Sequence, residues 1–536
     1  SHFYDSILYS EIAPRLHEIE ESSNRVKVEV IGQSAGGRDL FLVTIADPRA
    51  MGRLGSYQAI RKLMLTDPDK TQEMIDKLGD FKVPVFINGS IHGNEYPGVD
   101  AAMRLIEKLA FDDSPEVQAI LENIILLVNV VQNPDGRVLG TRANANGIDV
   151  NRDFITQSQP ETRATVKVIT EWNPMVLLDL HGFVNPMLIE PCTPPHNPNY
   201  EYDLYLRWSY AEALAMEAEL FANTGFQAQI PFRDDPMDWD DWPPTYTPMY
   251  AMYHGAYGHT LETPYEDERG VDAHYWAAWG ALKFVVQNKA EMIYDQIEIF
   301  RRGFLDLPQV PIPDDLLDET KFDQYTDLMI AEFPTAYILP PDLPFQHSDH
   351  QVARLVDFLL FNDTQVEQAV EEFEYNGVIY PVGTYLVWMN QPKRSLANVF
   401  LDKDGLSVHL EDVFSGSYDN APVSLSGLMA AVVHFLMNNE FKDVGIFRVD
   451  LNVRALEESR LCALEKVLLD KYEVSPGEPI RLQVFFRTQN QENLMEEVTL
   501  QTPALPAGSE FQIIVGDAAS MQQVERSQYR IQEYVP

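Results

Sequence analysis

Residues 1–305 are expected to fold as an α/β domain, a mostly parallel or mixed sheet with helices on both faces. Three segments, VPVFING from Val83, NIILLVNVV from Asn123 and MVLLDL from Met175, are apolar almost throughout. A strand with one wet face would alternate; these read as strands buried on both faces. Between the first two, Val99, Ala102, Met103, Ile106 and Leu109 recur at helical spacing after Pro97, which suits the first turn of a helix. Strands alternating with helices specify a largely parallel sheet, and such sheets bind ligands beyond the carboxyl ends of their strands.

The elements follow in order. KVEVIGQ and LFLVTIAD alternate on either side of the turn SAGGRD and read as a hairpin between Arg25 and Asp47. After the three apolar strands, HTLET from His259 reads as a further strand, followed by the helix AAWGALKFVVQNKAEMIYDQIEIF. The Pro-rich stretch LPQVPIPDD reads as a linker. Residues 319–417 then suggest a small α+β domain: AYILP, a helical HQVARLVDFLLF, and EEFEY and TYLVWM around an NGVIYPVG turn. Residues 472–536, with EVSPGEPIRLQVFFRT and EVTLQTPALPAGSEFQIIVG, read as short strands punctuated by Pro and Gly, a β-sandwich-like module.

At 536 residues the chain exceeds one ordinary core, and its 45% hydrophobic and 23% charged content is that of a globular protein. Acidic residues outnumber basic ones 82 to 40, and the formal charge of −42 repels nucleic acid and anionic lipid, so neither is expected as a partner. No apolar run reaches the length of a membrane span. The first residues, SHFYDSILYS, lack the basic and apolar regions of an intact signal peptide. Two cysteines, Cys192 and Cys462, make no disulfide framework and are expected to be free thiols.

The reactive residues cluster at strand ends. In NGSIHGNEYPG, His92 and Glu95 follow the first apolar strand at a spacing that lets imidazole and carboxylate converge on one metal ion. Alone, His-x-x-Glu is a weak signal that a solvated loop also explains. His181, in LLDLHGF, follows another apolar strand directly and is a candidate third ligand from the same sheet edge, against a plain strand-end histidine, with Asp179 two residues back as a candidate to orient its ring.

With the run NPDGRVLGTRANANGIDVNRDF, the pattern resembles the zinc carboxypeptidase family typified by carboxypeptidase A. His92-x-x-Glu95, Asn133-Pro134-Asp135-Gly136, Arg142-x-Asn144 through Asn151-Arg152, and His181 occur in the family's order over roughly the first 300 residues. The resemblance implies one zinc per chain, held by His92, Glu95 and His181. It implies that Asn151 and Arg152 bind the substrate's terminal carboxylate, for which a guanidinium fork is suited. It further implies that Arg142 polarises the scissile carbonyl and that Glu262, in GHTLETP, is the general base toward a zinc-activated water. One departure stands out: where the family carries a loop tyrosine, usual spacing falls on Asp240, leaving Tyr246 or Tyr250 as substitutes, of which Tyr250 is the substrate-binding candidate. The loop RDDPMDWDDWPP in this region would favour C-terminal Lys or Arg if it faced the side-chain pocket.

The function this resemblance implies is removal of the C-terminal residue of peptides or proteins. Three readings compete: a zinc amidohydrolase of the same fold acting on cell-wall peptides or branched glutamyl substrates, a deacylase of N-acyl amino acids, and an inactive scaffold with C-terminal binding modules. The intact Asn151-Arg152 pair opposes the deacylase, and the intact ligands and base oppose the scaffold. The family resemblance favours a secreted or cell-surface location, and a cytoplasmic one stays open.

Overall fold

The computed structural model describes residues 6–79, 81–191, 196–231, 233–234, 244–314, 316, 329–341, 345, 349–402, 462–471, 474–475, 477–488, 493–502, 513 and 515. Described residues up to 402 fall in one compact unit and those from 462 onward in another.

The first unit is organised by an eight-stranded sheet. Its strands are β1 (Val26–Gln33), β2 (Asp39–Ile45), β3 (Val83–Gly89), β4 (Ile124–Asn129), β5 (Val176–Gly182), β6 (Met187–Glu190), β7 (Ala228–Gln229) and β8 (Tyr257–Thr263), in the spatial order β1-β2-β4-β3-β5-β8-β6-β7. The centre, β4-β3-β5-β8, is parallel; β1–β2, β2–β4 and β6–β8 are antiparallel. The sheet is therefore mixed, with a parallel core flanked by antiparallel strands. Every residue of β3 and β4 is buried, as their largely apolar sequences favour, and the polar exceptions Asn88 and Asn129 bond to each other at 3.1 Å.

Helices cover the sheet: α1 (Tyr9–Ser22), α2 (Pro48–Met51), α3 (Leu54–Leu63), α4 (Pro68–Leu78), α5 (Pro97–Phe111), α6 (Pro115–Asn123), α7 (Pro134–Leu139), α8 (Pro160–Trp172), α9 (Tyr202–Thr224), α10 (Thr247–Met252) and α11 (Glu268–Phe304). Proline stands in the first turn of α4 to α8, where its missing N–H costs nothing. On β8, His259 reaches Glu212 of α9, whereas a Cβ on the adjacent Gly258 would meet Pro248 of α10 at 2.5 Å. Successive strand residues face opposite ways, so α9 and α10 cover opposite faces of that strand.

Beyond α11, β9 (Ala336–Leu339), β10 (Glu367–Gln368) and β13 (Tyr385–Trp388) form a three-stranded sheet in the order β10-β13-β9. EEFEY and TYLVWM do not pair with each other. Phe373–Tyr375 (β11) pairs with Val378–Tyr380 (β12) across Asn376-Gly377, both at positive φ, and TYLVWM pairs with β9 instead. The two-residue Asn-Gly turn closes the nearer hairpin first. This sheet and the helices Asp349–Phe361 and Arg394–Leu401 share a small core of Leu339, Val356, Leu359, Val387, Met389, Ala397 and Leu401.

The second unit holds one antiparallel sheet among the described residues, β14 (Cys462–Leu469), β15 (Pro479–Thr488) and β16 (Asn493–Gln501), with Ile480, Leu482 and Val484 buried at its core. Most of the segment ALPAGSEFQIIVG, Cys192 and the side chain of Cys462 lie outside the described residues.

Candidate metal centre and substrate cleft

The strand order explains how residues distant in sequence meet. β3 and β5 are adjacent and parallel, so the turns leaving their carboxyl ends emerge side by side. In the first turn Ser90 takes a positive φ of 52° and Glu95 N donates to His92 O at 3.1 Å, which folds His92 and Glu95 toward each other before Pro97 starts α5. His181, on β5, pairs in register with Glu262 on β8, so both side chains leave the same face of the sheet.

His92, Glu95 and His181 converge. His92 Nδ1 lies 2.8 Å from Glu95 Oε1, His181 Nδ1 lies 3.0 Å from Glu95 Oε2, and the two Nδ1 atoms are 3.2 Å apart. All three side chains are buried. Two imidazole nitrogens aimed at each other beside a carboxylate form a poor hydrogen-bond set but a suitable donor set for a metal. Tetrahedral zinc with bonds of ~2.0–2.2 Å spaces its ligand atoms roughly 3.3–3.6 Å apart, somewhat wider than the 2.8–3.2 Å of this cluster.

The outward nitrogens are also occupied. His92 Nε2 meets Asp149 Oδ1 at 3.1 Å, and His181 Nε2 meets Asp179 Oδ2 at 2.7 Å. Asp179 is buried and accepts from Asn88 Nδ2 at 2.8 Å. His274 Nε2 lies 2.9 Å from the backbone oxygen of His181; burial pushes its imidazole down to about 4, so it is neutral and donates. Burial works against the Glu95 carboxylate, yet hydrogen bonds and charge from His181 and His92 outweigh it and hold the group at about 2. Burial likewise opposes the His181 imidazolium, but Asp179 and Glu95 raise its pKa well above the ordinary value.

The run from Asn133 to Arg152 surrounds this cluster. Asn133 caps α7 by accepting from Gly136 N at 2.9 Å and donates to Arg142 O at 3.0 Å. Arg142 Nε donates to Asp149 Oδ2 at 2.8 Å, and Nη1 stands 3.4 Å from Glu95 Oε1, which brings the guanidinium to the rim of the cluster. Asp149 thus joins His92 to Arg142, and its carboxyl is held far below the usual range: burial opposes this, but His92, Arg142 and Arg152 prevail. Asn151 Oδ1 accepts from Thr247 N and Oγ1 at 3.0 and 3.2 Å, and the Arg152 guanidinium lies 4.6 Å from the centroid of the Tyr246 ring.

Glu262 is 9% exposed, and its Oε2 has no hydrogen-bond partner among the described residues. Burial raises its pKa, as does Glu95, while His181, His92 and Arg142 pull it down. It is a buried carboxylate facing the cluster with one oxygen uncommitted.

Tyr250, the substrate-binding candidate, has no exposed surface. Its ring is fully buried against Phe154, and its hydroxyl is engaged by Gln157, Asn362 and His254. Position along the chain could not distinguish it from Tyr246, the tyrosine that meets Arg152. Residues 235–243, including Asp240, lie outside the described residues. Asp149 was missed as a partner of His92 because the two are 57 residues apart, although it sits within the motif.

A mixed α/β sheet thus brings two histidines and a glutamate together at its carboxyl edge, with Arg142 and the buried Glu262 beside them. The model of the zinc carboxypeptidase family (peptidase M14) matches residues 15–229. Carboxypeptidase 2 of Trichophyton tonsurans is 30% identical over 113 residues, 21% of this chain and 21% of its own length. Carboxypeptidase SOL1 of Arabidopsis thaliana is 32% identical over 124 residues, 20% of this chain and 25% of its own length. The matches thus span about a fifth to a quarter of those relatives. Among solved structures, a metallo-carboxypeptidase from Pseudomonas aeruginosa aligns with 20% identity and a TM-score of 0.39, covering 53% of this chain and 69% of that one.

Proposed function

We propose that the protein is a zinc-dependent carboxypeptidase that hydrolyses the C-terminal peptide bond of peptides or proteins. The observation that carries this reading is the convergence of His92, Glu95 and His181, with Arg142 beside Glu95, Glu262 in register with His181, and Asp149 joining Arg142 to the N–H of Asn151. His92, Glu95 and His181 would hold the zinc, which when bound supplies Lewis acidity for activating water and polarising a carbonyl. Glu262, with one oxygen uncommitted, takes a proton from the attacking water and passes it to the departing amine. Arg142, kept at the rim by Asp149, stabilises negative charge developing on the carbonyl oxygen. Arg152 and Asn151 pair with the substrate's terminal carboxylate and so limit attack to the last peptide bond.

The test compares peptides that end in a free carboxylate with the same peptides amidated. Charge-assisted hydrogen bonds are worth roughly 1.5–3 kcal/mol each, so Arg152→Ala should cost about ten- to a hundredfold in kcat/KM on free-acid peptides. Amidated peptides should be poor substrates for the wild type and lose much less on mutation. Equal wild-type cleavage of both would replace this reading with an endopeptidase or amidase.

A further inference from the structure

The segment that carries Asn151 and Arg152 is held from behind by residues far beyond the stretch that matches the family. Gln157, five positions after Arg152, has a φ of 49°, a left-handed backbone that residues with side chains rarely adopt. The chain reaches it by winding around Asp153, whose carboxylate accepts from Thr156 Oγ1, Ser158 N and Gln159 N. The Gln157 side chain is then clasped by Asn362, just past the helix Asp349–Phe361. Gln157 Nε2 donates to Asn362 Oδ1 at 2.9 Å, and Asn362 Nδ2 donates back to Gln157 Oε1 at 3.1 Å.

The same asparagine also reaches α10. The Tyr250 hydroxyl donates to Asn362 Oδ1 and accepts from Gln157 Nε2 at 3.0 Å. Tyr250 belongs to α10, whose first residue, Thr247, holds Asn151 Oδ1 through both its N–H and its hydroxyl. Behind Tyr250 the chain of bonds continues to His254 Nε2 at 2.9 Å, and from His254 Nδ1 to Lys393 Nζ at 2.8 Å. The directions agree: Lys393 donates to Nδ1, so Nε2 carries the hydrogen and donates to Tyr250, which donates to Asn362. Gln157, Tyr250, His254, Asn362 and Lys393 are all at most 3% exposed. Solvent cannot replace these bonds, and each lost one strands a buried polar partner.

We infer that Asn362 is a positioning residue for the carboxylate-binding pair, fixing at once the loop that follows Arg152 and the helix that holds Asn151. On this inference the region beyond residue 349 is part of the substrate-binding apparatus of the peptidase. It rests on the assignment of Asn151 and Arg152 to the substrate carboxylate proposed above.

The test uses Asn362→Leu, which keeps the approximate volume and removes the hydrogen bonds, in the full-length zinc-loaded protein. Expected is a rise in KM of roughly tenfold on free-acid peptides, with kcat changed by less than about twofold. The smaller turnover of amidated peptides and the zinc content should be unchanged. The milder Tyr250→Phe removes only the hydroxyl and should raise KM on free-acid peptides severalfold, again without a kcat effect, so the test survives if Asn362→Leu folds poorly. Gln157→Leu combined with Asn362→Leu should cost no more than either alone, because each removes the same clasp. Equal losses on free-acid and amidated peptides, an unchanged KM, or additive losses in the double variant would each overturn the positioning role. A wild type indifferent to amidation would instead overturn the underlying assignment.

Discussion

Both imidazoles of the candidate metal site turn Nδ1 inward and rest on a carboxylate at Nε2, Asp149 for His92 and Asp179 for His181. Such backing fixes which nitrogen carries the hydrogen and makes the inward one a better donor to a metal. Glu262 is the exception, a buried carboxylate near the cluster whose Oε2 is engaged by none of the described residues. That contrast separates holding from chemistry. Glu262→Gln preserves shape and should leave the zinc bound, while kcat falls by about a hundredfold or more. Metal analysis beside turnover checks both halves; near-normal turnover would move the base elsewhere. His92, Glu95 and His181 were legible in the sequence because each follows a continuous apolar strand, and strand ends are where such sheets expose chemistry. The roles of Asp149, Asn88 and His274 were not, since their contacts cross strands and helices with no sequence periodicity to announce them.

At the scale of elements, the close approach of two turns shapes the centre. A Cβ on Gly93, inside His92-x-x-Glu95, would lie 1.9 Å from Gly136 C and 2.2 Å from Arg137 N, both backbone atoms of α7. The Asn133-Pro134-Asp135-Gly136 helix is therefore pressed onto the turn that carries two candidate ligands, and neither backbone can retreat without moving His92 or Arg142. Gly93→Ala should cost at least about 2 kcal/mol of stability, as overpacking does, and weaken zinc retention. The control is Gly55→Ala in α3, where a Cβ meets nothing within 4 Å and alanine is the better helix former. Similar melting temperatures and zinc contents for the two variants would sink this account. The parallel core was legible from its unbroken apolar strands. β6 and β7, only four and two residues long, were not, because so short a run has no measurable period.

Across the whole molecule, the segment after α11 is tied to the first 305 residues by buried charge as well as by apolar packing. Arg394 donates to Glu201 at 2.7 Å, a carboxylate that Arg302 of α11 also engages, and Lys393 reaches His254 and Asn173. The Pro-rich stretch LPQVPIPDD reveals nothing of this in sequence, because a buried pair such as Glu201 and Arg394 is separated by 193 residues. Lys393 has no carboxylate within hydrogen-bonding distance among the described residues, and this gives the attachment a pH signature. Burial brings its pKa from 10.5 down to about 7; Asp363 opposes the shift, and Lys62 and Arg61 add to it. Between those values the unfolded chain binds a proton that the folded chain has released, so this residue's contribution to stability rises with pH across the window. Below about pH 7 both states are protonated and the burial penalty is at its full size. Its neighbours His254 and Tyr250 stay uncharged over this range, since burial lowers the first and raises the second. Lys393→Met removes the titration and, with it, hydrogen bonds whose loss is independent of pH. The melting temperature of the wild type minus that of Lys393→Met should therefore increase steadily from pH 7 to pH 9.5. Referring each wild-type measurement to the variant at the same pH cancels the general effect of the −42 charge. Parallel profiles across that range would mean that Lys393 keeps its proton in the folded protein, and that its buried charge is balanced by something other than the His254 and Asn173 contacts.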